Sequence, residues 1–169
     1  MEVAVFGNGT SLQEKLIDAI NIAKNVDHLC LCNKAYEFAI LFSNVKYIGI
    51  CDRIELERIL RIYELPSEYP NKKYFDEAIF PKLILHQTCE GLINPECFFN
   101  SSDRTNTGLH LIRQCVYEEY DKIHCIGFDS IEKDLWIDYP NKDAALFRKD
   151  MDTYLSSLPQ DTRDKIIFY

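Results

Sequence analysis

Glycine, asparagine and small hydroxyl residues gather in short stretches of this 169-residue chain: Gly7-Asn8-Gly9-Thr10-Ser11, Cys32-Asn33, Asn106-Thr107-Gly108 and Gly127-Phe128-Asp129. These residue types suit a phosphate or a sugar. Glycine lets backbone approach an oxygen anion, a helix beginning at Ser11 aims N–H groups at the same place, and an asparagine amide both donates and accepts. Acid–base chemistry has fewer candidates. Of the four histidines, His28 and His124 begin or interrupt strand-like runs and His110 lies in a helical one, so these three read as structural. His86 follows Leu-Ile-Leu at a strand end and is the candidate base, with Asp129 or Asp138 as carboxylate alternatives.

Two nucleotide motifs are excluded by the residues present. A dinucleotide turn calls for a third glycine where this chain has Leu12, and for an acid at the end of the second strand where it has Asn33. No Gly-Lys-Ser/Thr occurs, so the Walker pattern is missing too. Neither NAD nor FAD is expected.

The elements that must position these stretches alternate. Strands are expected at Glu2–Phe6, in His-Leu-Cys-Leu-Cys-Asn, in Lys-Tyr-Ile-Gly-Ile-Cys-Asp, in Lys-Leu-Ile-Leu-His-Gln and in Lys-Ile-His-Cys-Ile-Gly-Phe-Asp, with Lys-Ile-Ile-Phe-Tyr as an edge strand. Ser11 and Glu14 form a capping-box pattern ahead of a helix whose apolar stripe is Leu12, Leu16, Ile17, Ile20 and Ala23, ending near Asn25. A short helical turn should carry the chain back after Asn33. Asp52 caps a helix with Leu56, Ile59, Leu60 and Tyr63 on its core side. Asn106 and Thr107 open a helix bearing Leu109, Ile112, Cys115 and Val116, and Asn141 caps a last long one. The stretch between Glu64 and Phe80 has two prolines, mixed charge and several aromatics, and is the candidate lid. The alternation predicts one domain over residues 1–169: a three-layer, Rossmann-like α/β fold with a mostly parallel sheet and helices on both faces. In such folds ligands sit outside the carboxyl ends of the strands, where the polar stretches fall.

Composition narrows the partners. Lys plus Arg number 19 against 27 Asp plus Glu, a net charge of −8 with the two signs interspersed. That disfavours nucleic acid, which needs a basic surface. No run approaches a membrane span or a secretory leader. The seven cysteines are odd in number and several lie in apolar runs, so they read as free thiols of a reducing cytoplasm, without a disulfide framework. No metal site is expected: Cys-x-x-Cys is missing, and Cys30 and Cys32 are taken to face opposite sides of their strand.

Val-Phe-Gly-Asn-Gly-Thr-Ser-Leu, Leu-Cys-Leu-Cys-Asn-Lys-Ala-Tyr-Glu-Phe and the segment from Thr105 to Asp129 together resemble the sialyltransferases, most closely the bacterial CMP-sialic-acid-dependent type. The matching pieces lie in order and cover roughly the first fifth of the chain and its 105–130 segment. The resemblance implies that Asn8 and Gly9 contact the phosphate or ribose of a cytidine nucleotide, with the donor's phosphate resting on the turn from Gly7 to Ser11, and that Asn33 reaches the donor. It further implies that Asn106, Thr107 and Gly108 lie against the sugar and that Gly127, Phe128 and Asp129 face the cytidine. The chain departs from that pattern in having no histidine after Asp129, where the family keeps its base, and in being much shorter than typical members.

Two functions follow as expectations. The first is a sialyltransferase-like protein that binds a CMP-sugar or related nucleotide and transfers the sugar with His86 or Asp129 as base. The second is a non-catalytic module of the same fold that binds a nucleotide, another phosphorylated ligand or a protein. No cofactor is expected beyond a CMP or CMP-sugar ligand, and the oligomeric state is open.

Overall fold

A computed structural model of the chain describes residues 1–85, 97–98, 106–131 and 144–169, with no side-chain detail for residues 97, 98, 130, 131 and 144. His86, Asp138, Asn141 and the segment between Gln87 and Glu96 lie outside the described residues. Seven strands, β1 (Glu2–Phe6), β2 (His28–Cys32), β3 (Val45–Ile50), β4 (Leu83–Leu85), β5 (Cys97–Phe98), β6 (Lys122–Ile126) and β7 (Ile166–Phe168), form one sheet. Their order is β5-β4-β3-β2-β1-β6-β7, and every neighbouring pair is parallel. The fold is α/β and Rossmann-like.

Parallel strands buried on both faces read as continuous apolar runs, and the two-residue side-chain period divides each run between two cores. Ala4, Phe6, Leu29, Leu31, Ile48 and Ile50 face one core, which α2 (Leu16–Asn25), α3 (Arg53–Tyr63) and the 3₁₀ segment Asn33–Leu41 cover. Val3, Val5, Cys30, Cys32, Ile123 and Cys125 face the other, beneath α5 (Thr107–Tyr117) and Met151 of α6 (Ala144–Ser157). Cys30 and Cys32 therefore share a face. The expectation of opposite faces is corrected by the strand period itself, since residues two apart point the same way.

The first helix differs from its sequence pattern. A four-residue α1 (Ser11–Glu14) stops at Lys15, whose φ of −109° and ψ of 28° break the helix before α2 begins. The break resets the helical phase. Leu12, Ala19 and Ala23 are buried, whereas Ile17, expected on the same stripe, is 77% exposed. In α3 the Asp52 carboxylate accepts from the N–H groups of Ile54 and Glu55 at 2.9 and 3.0 Å, the cap the sequence implies. Ile59 is buried there, while Tyr63 is 38% exposed and sets its ring edge-on against Phe80.

The expected lid is packed structure. Residues after the Pro66 turn form α4 (Lys72–Tyr74), a π turn (Phe75–Ile79) and a 3₁₀ turn (Phe80–Lys82). Ile79 and Phe80 are buried in the core shared with α3. The Lys72 ammonium, itself buried, pairs with Asp76 and lies 5.0 Å from the centre of the Phe80 ring. Of the aromatics that suggested a mobile loop, Tyr74 and Phe75 pack against the core, while Tyr69 is exposed.

From β1 the chain steps outward through β2, β3, β4 and β5, and α5 then returns it to β6 on the other side of β1. The strand order thus reverses between β1 and β6. At that reversal connections leave the sheet in both directions, and a crevice at the carboxyl ends is the expected ligand position.

Candidate functional site

The carboxyl edge between β1 and β6 begins with two glycines in contact. The Gly7 N–H donates to the Ile126 carbonyl and the Gly9 N–H to the Gly127 carbonyl, both at 2.8 Å. A Cβ on Gly7 would stand 2.3 Å from the Gly127 carbonyl oxygen, and Gly127 adopts a φ of +78°. Both positions require glycine because backbone meets backbone there.

Asp129, which follows Gly127 and Phe128 in a 3₁₀ turn (Phe128–Ile131), sits at the start of α1. Its carboxylate accepts from the Ser11 N–H at 3.0 Å, the Ser11 hydroxyl at 2.5 Å and the Thr10 hydroxyl at 2.8 Å. Burial pushes the Asp129 carboxyl up, but these hydrogen bonds outweigh it and hold the group below its ordinary 3.8. The capping box is therefore not what closes this helix. Thr10 is the N-cap residue and makes no side-chain cap bond, and the Ser11 hydroxyl turns to Asp129 across a separation of 118 residues. The N–H expected to be open to a ligand anion already serves the chain's own carboxylate.

Asn33 ties three elements together. Held at a φ of 44°, it accepts through Oδ1 from the N–H groups of Cys51 and Asp52 at 3.1 and 3.2 Å and from the Thr107 hydroxyl at 3.1 Å. The left-handed backbone is one that asparagine tolerates better than most residues. Asn8 accepts through Oδ1 from the Ala35 N–H at 3.2 Å. Asn106 caps α5, its Oδ1 accepting from Gly108 N–H at 2.8 Å. Gly108 is packed against Phe128, whose ring a Cβ would meet at 2.5 Å, and Phe128 makes an edge contact with Phe168, centroids 5.5 Å apart.

The structure thus brings Gly7, Asn8, Gly9, Ser11, Asn33, Asn106, Thr107, Gly108, Gly127, Phe128 and Asp129 to one edge of the sheet, from β1, β2, β6 and α5. The remaining histidines are elsewhere and engaged. His28 Nδ1 is 2.7 Å from the Tyr120 hydroxyl, His124 lies between Tyr169 and Glu2 at 2.8 and 3.1 Å, and His110 is buried in α5.

Two further groups were not singled out by the sequence pattern. Tyr36, 3% exposed, and Glu55 each bury an oxygen, the phenol hydroxyl and Oε2, that has no hydrogen-bond partner among the described residues. Their only sequence signal is position: Tyr36 follows Asn33 by one 3₁₀ turn, and Glu55 follows the Asp52 cap by one α-helical turn.

Among the described residues, Cys30, Cys32, Cys115 and Cys125 are buried as small hydrophobes. Cys30, Cys32, Cys51, Cys115 and Cys125 are free, and burial pushes the Cys32 and Cys125 thiols well above the ordinary range. Among the described residues no group of three or more His, Cys, Asp or Glu is arranged to hold a metal ion, and no helix is long and apolar enough to cross a membrane. Comparisons with protein-family models, with curated proteins and with solved structures returned no match, so a function for the chain has to be argued from its own residues.

Proposed function

We propose that this chain is a sialyltransferase-like protein that binds a CMP-sugar or a related nucleotide at the carboxyl edge between β1, β2 and β6. The observation that supports the reading most is the convergence of Asn8, Asn33, Asn106 and the Gly7–Gly127 contact at the point where strand order reverses. In each of the three asparagines the carbonyl oxygen is engaged within the fold, so recognition falls to the NH₂ donors, which suit the carbonyl of a pyrimidine, a ribose hydroxyl or a phosphate oxygen. The Gly7, Gly9 and Ser11 N–H groups are already bonded to Ile126, Gly127 and Asp129, so the amide donors carry the recognition. The free cysteines accord with a reducing, cytoplasmic setting.

A second reading, a binding module without transfer activity, is favoured by one feature. Asp129 already occupies the start of α1, so a phosphate entering there has to use other donors or displace a carboxylate. His28 and His124 are both committed to tyrosines of the fold, which leaves His86 as the histidine to test as base.

Calorimetric titration with CMP, CDP and CTP tests the proposal, using the wild type, Asn8→Ala and Asn33→Asp. The aspartate keeps the acceptor that Asn33 supplies to Cys51, Asp52 and Thr107, replaces the NH₂ donor with an oxygen and adds a negative charge that opposes a phosphate. Saturable CMP binding, weakened about tenfold or more in both variants, supports the site; a tenfold loss corresponds to about 1.4 kcal/mol. A wild type that binds none of the three nucleotides overturns it. Hydrolysis or transfer of CMP-sialic acid, abolished by His86→Ala, would establish an enzyme.

A further inference from the structure

We infer that the outer face of α3 is the contact of a homodimer, in which two copies of this chain pair α3 antiparallel across a twofold axis level with Ile59. That face is charged in its middle and apolar toward its ends. Ile54, Glu57, Arg58, Arg61, Ile62 and Leu65 line an open groove of about 440 Å³ along it. Ile54 is 67% exposed, on the side of an amphipathic helix where polar residues are the rule. The patch continues onto the neighbouring 3₁₀ segment, where residues three apart lie over one another. Ile40, 71% exposed, follows Glu37 by three residues, and Glu37 reaches Arg58 at 3.8 Å.

Charge complementarity selects a second copy as the occupant. In an isologous contact each residue faces the one equally far along the helix on the other side of the axis, so Glu57 and Arg61, on either side of Ile59, face each other twice. Ile54 then comes within one residue's rise, about 1.5 Å, of the level of Leu65 in the other copy. The apolar ends therefore meet as well. Helix axes packed about 8–10 Å apart leave both carboxylate–guanidinium pairs within reach. Among the described residues Arg61 has no ion pair, and Glu57 meets Arg53 through Oε1, leaving Oε2 to accept. Arg58, which stands close to the axis, is held by Glu37 and Glu55 of its own chain at 3.8 and 3.7 Å. A parallel pairing sets Arg61 on Arg61 and Glu57 on Glu57, and a uniformly acidic partner meets Glu57 with a like charge; both are disfavoured. A net charge of −8 repels copies of the chain in general, but α3 sets Arg53, Arg58 and Arg61 against Glu55 and Glu57. Repulsion is relieved there. A contact built on a single helix pair belongs to the weak, concentration-dependent class.

The inference does not depend on the proposed nucleotide site. Its test is sedimentation velocity of the full chain from about 1 µM to about 1 mM, the range of weak association, with a thermal melt of each protein as the check on folding. The variants are Ile54→Lys, Glu57→Arg, Arg61→Glu and the Glu57→Arg/Arg61→Glu double. All three positions are exposed, so the melts should stay within about 2 °C of wild type. The wild type is expected to dimerise toward the upper end of the range, and each single variant to weaken the dimer about tenfold or more, the charge variants by setting like charges on each other. The double variant should restore it, because exchanging the two charges preserves their match. An equimolar mixture of Glu57→Arg and Arg61→Glu should form a heterodimer, since each copy then supplies the charge the other lacks. A wild type that is monomeric throughout overturns the inference. So does a dimer that neither charge variant weakens, which would place the contact on another face, or one that neither the double variant nor the mixture restores.

Discussion

The two ends of the sheet carry polar networks of different character. At the amino end, Glu118 accepts from Lys46 at 2.7 Å, Tyr47 at 2.6 Å and Gln114 at 2.8 Å, and the Tyr120 hydroxyl joins Lys46 at 3.2 Å to His28 at 2.7 Å. Charge is balanced, and bonds to Lys46, Tyr47 and Gln114 hold the Glu118 carboxyl below its usual range despite burial. That network fastens the end of α5 to β2 and β3. At the carboxyl end, Asp129 and Asn33 do similar fastening, but backbone meets backbone at Gly7 and Gly127, Asn33 sits at positive φ, and Tyr36 and Glu55 are left open. A closed network is accounted for by folding alone. The amino end has exceptions of its own, Glu119 at a φ of 60° and the Arg163 Nε without a hydrogen-bond partner, so the difference between the ends lies in the glycine contact and in the asparagine amides whose oxygens alone are engaged.

That contrast can be broken by substitution. The largest loss is expected from Gly7→Ala, whose methyl meets the Gly127 carbonyl and can be relieved only by moving β6; about 3 kcal/mol of destabilisation should appear in urea unfolding. Asn33→Ala frees two backbone N–H groups and the Thr107 hydroxyl and should cost about 2 kcal/mol by the same measurement. Asp129→Ala should cost about 1.5 kcal/mol, with a diagnostic pH dependence. Because folding lowers the Asp129 pKa from 3.8, its contribution is present above that value and fades as pH falls through the lower folded value, so the variant loses least in acid. Glu118→Gln at the amino end should cost about 1 kcal/mol, discounted for partial exposure of the pair.

The smallest effect has the opposite sign. Glu55 is raised above 4.5 by burial, so its ionisation opposes folding as pH rises through the raised value. Glu55→Gln should then stabilise, by about 0.5 kcal/mol, more at pH 7 than at pH 4. A destabilising Glu55→Gln would mean that Glu55 belongs with the closed networks.

Short-range features were legible in the sequence and long-range ones were not. The apolar runs of β1, β2, β3 and β6, the Asp52 cap and the Asn106 cap are written within a few residues of where they act. The gathering of polar stretches at the carboxyl edge followed from strand–helix alternation. What escaped depends on partners distant in sequence: Asp129 closing α1 from the far side of the sheet, Thr107 reaching Asn33, and Phe75 and Phe80 turning the expected lid into core. Ile17 escaped for a local reason, the break at Lys15, which no proline or glycine announces. Tyr36 and Glu55 look unremarkable in a helical pattern, because a missing hydrogen bond has no sequence signature.

Mapping amide ¹⁵N–¹H shifts while CMP is added tests the central claim most directly, since it compares the two ends of the sheet in one experiment. The account predicts saturable shifts in the side-chain NH₂ groups of Asn8 and Asn33 and in the Gly9 and Gly127 backbone, with Gln114 Nε2 and the Tyr120 and Lys122 amides at the other end unmoved. Shifts confined to the amino end, or none at any CMP concentration, would contradict it.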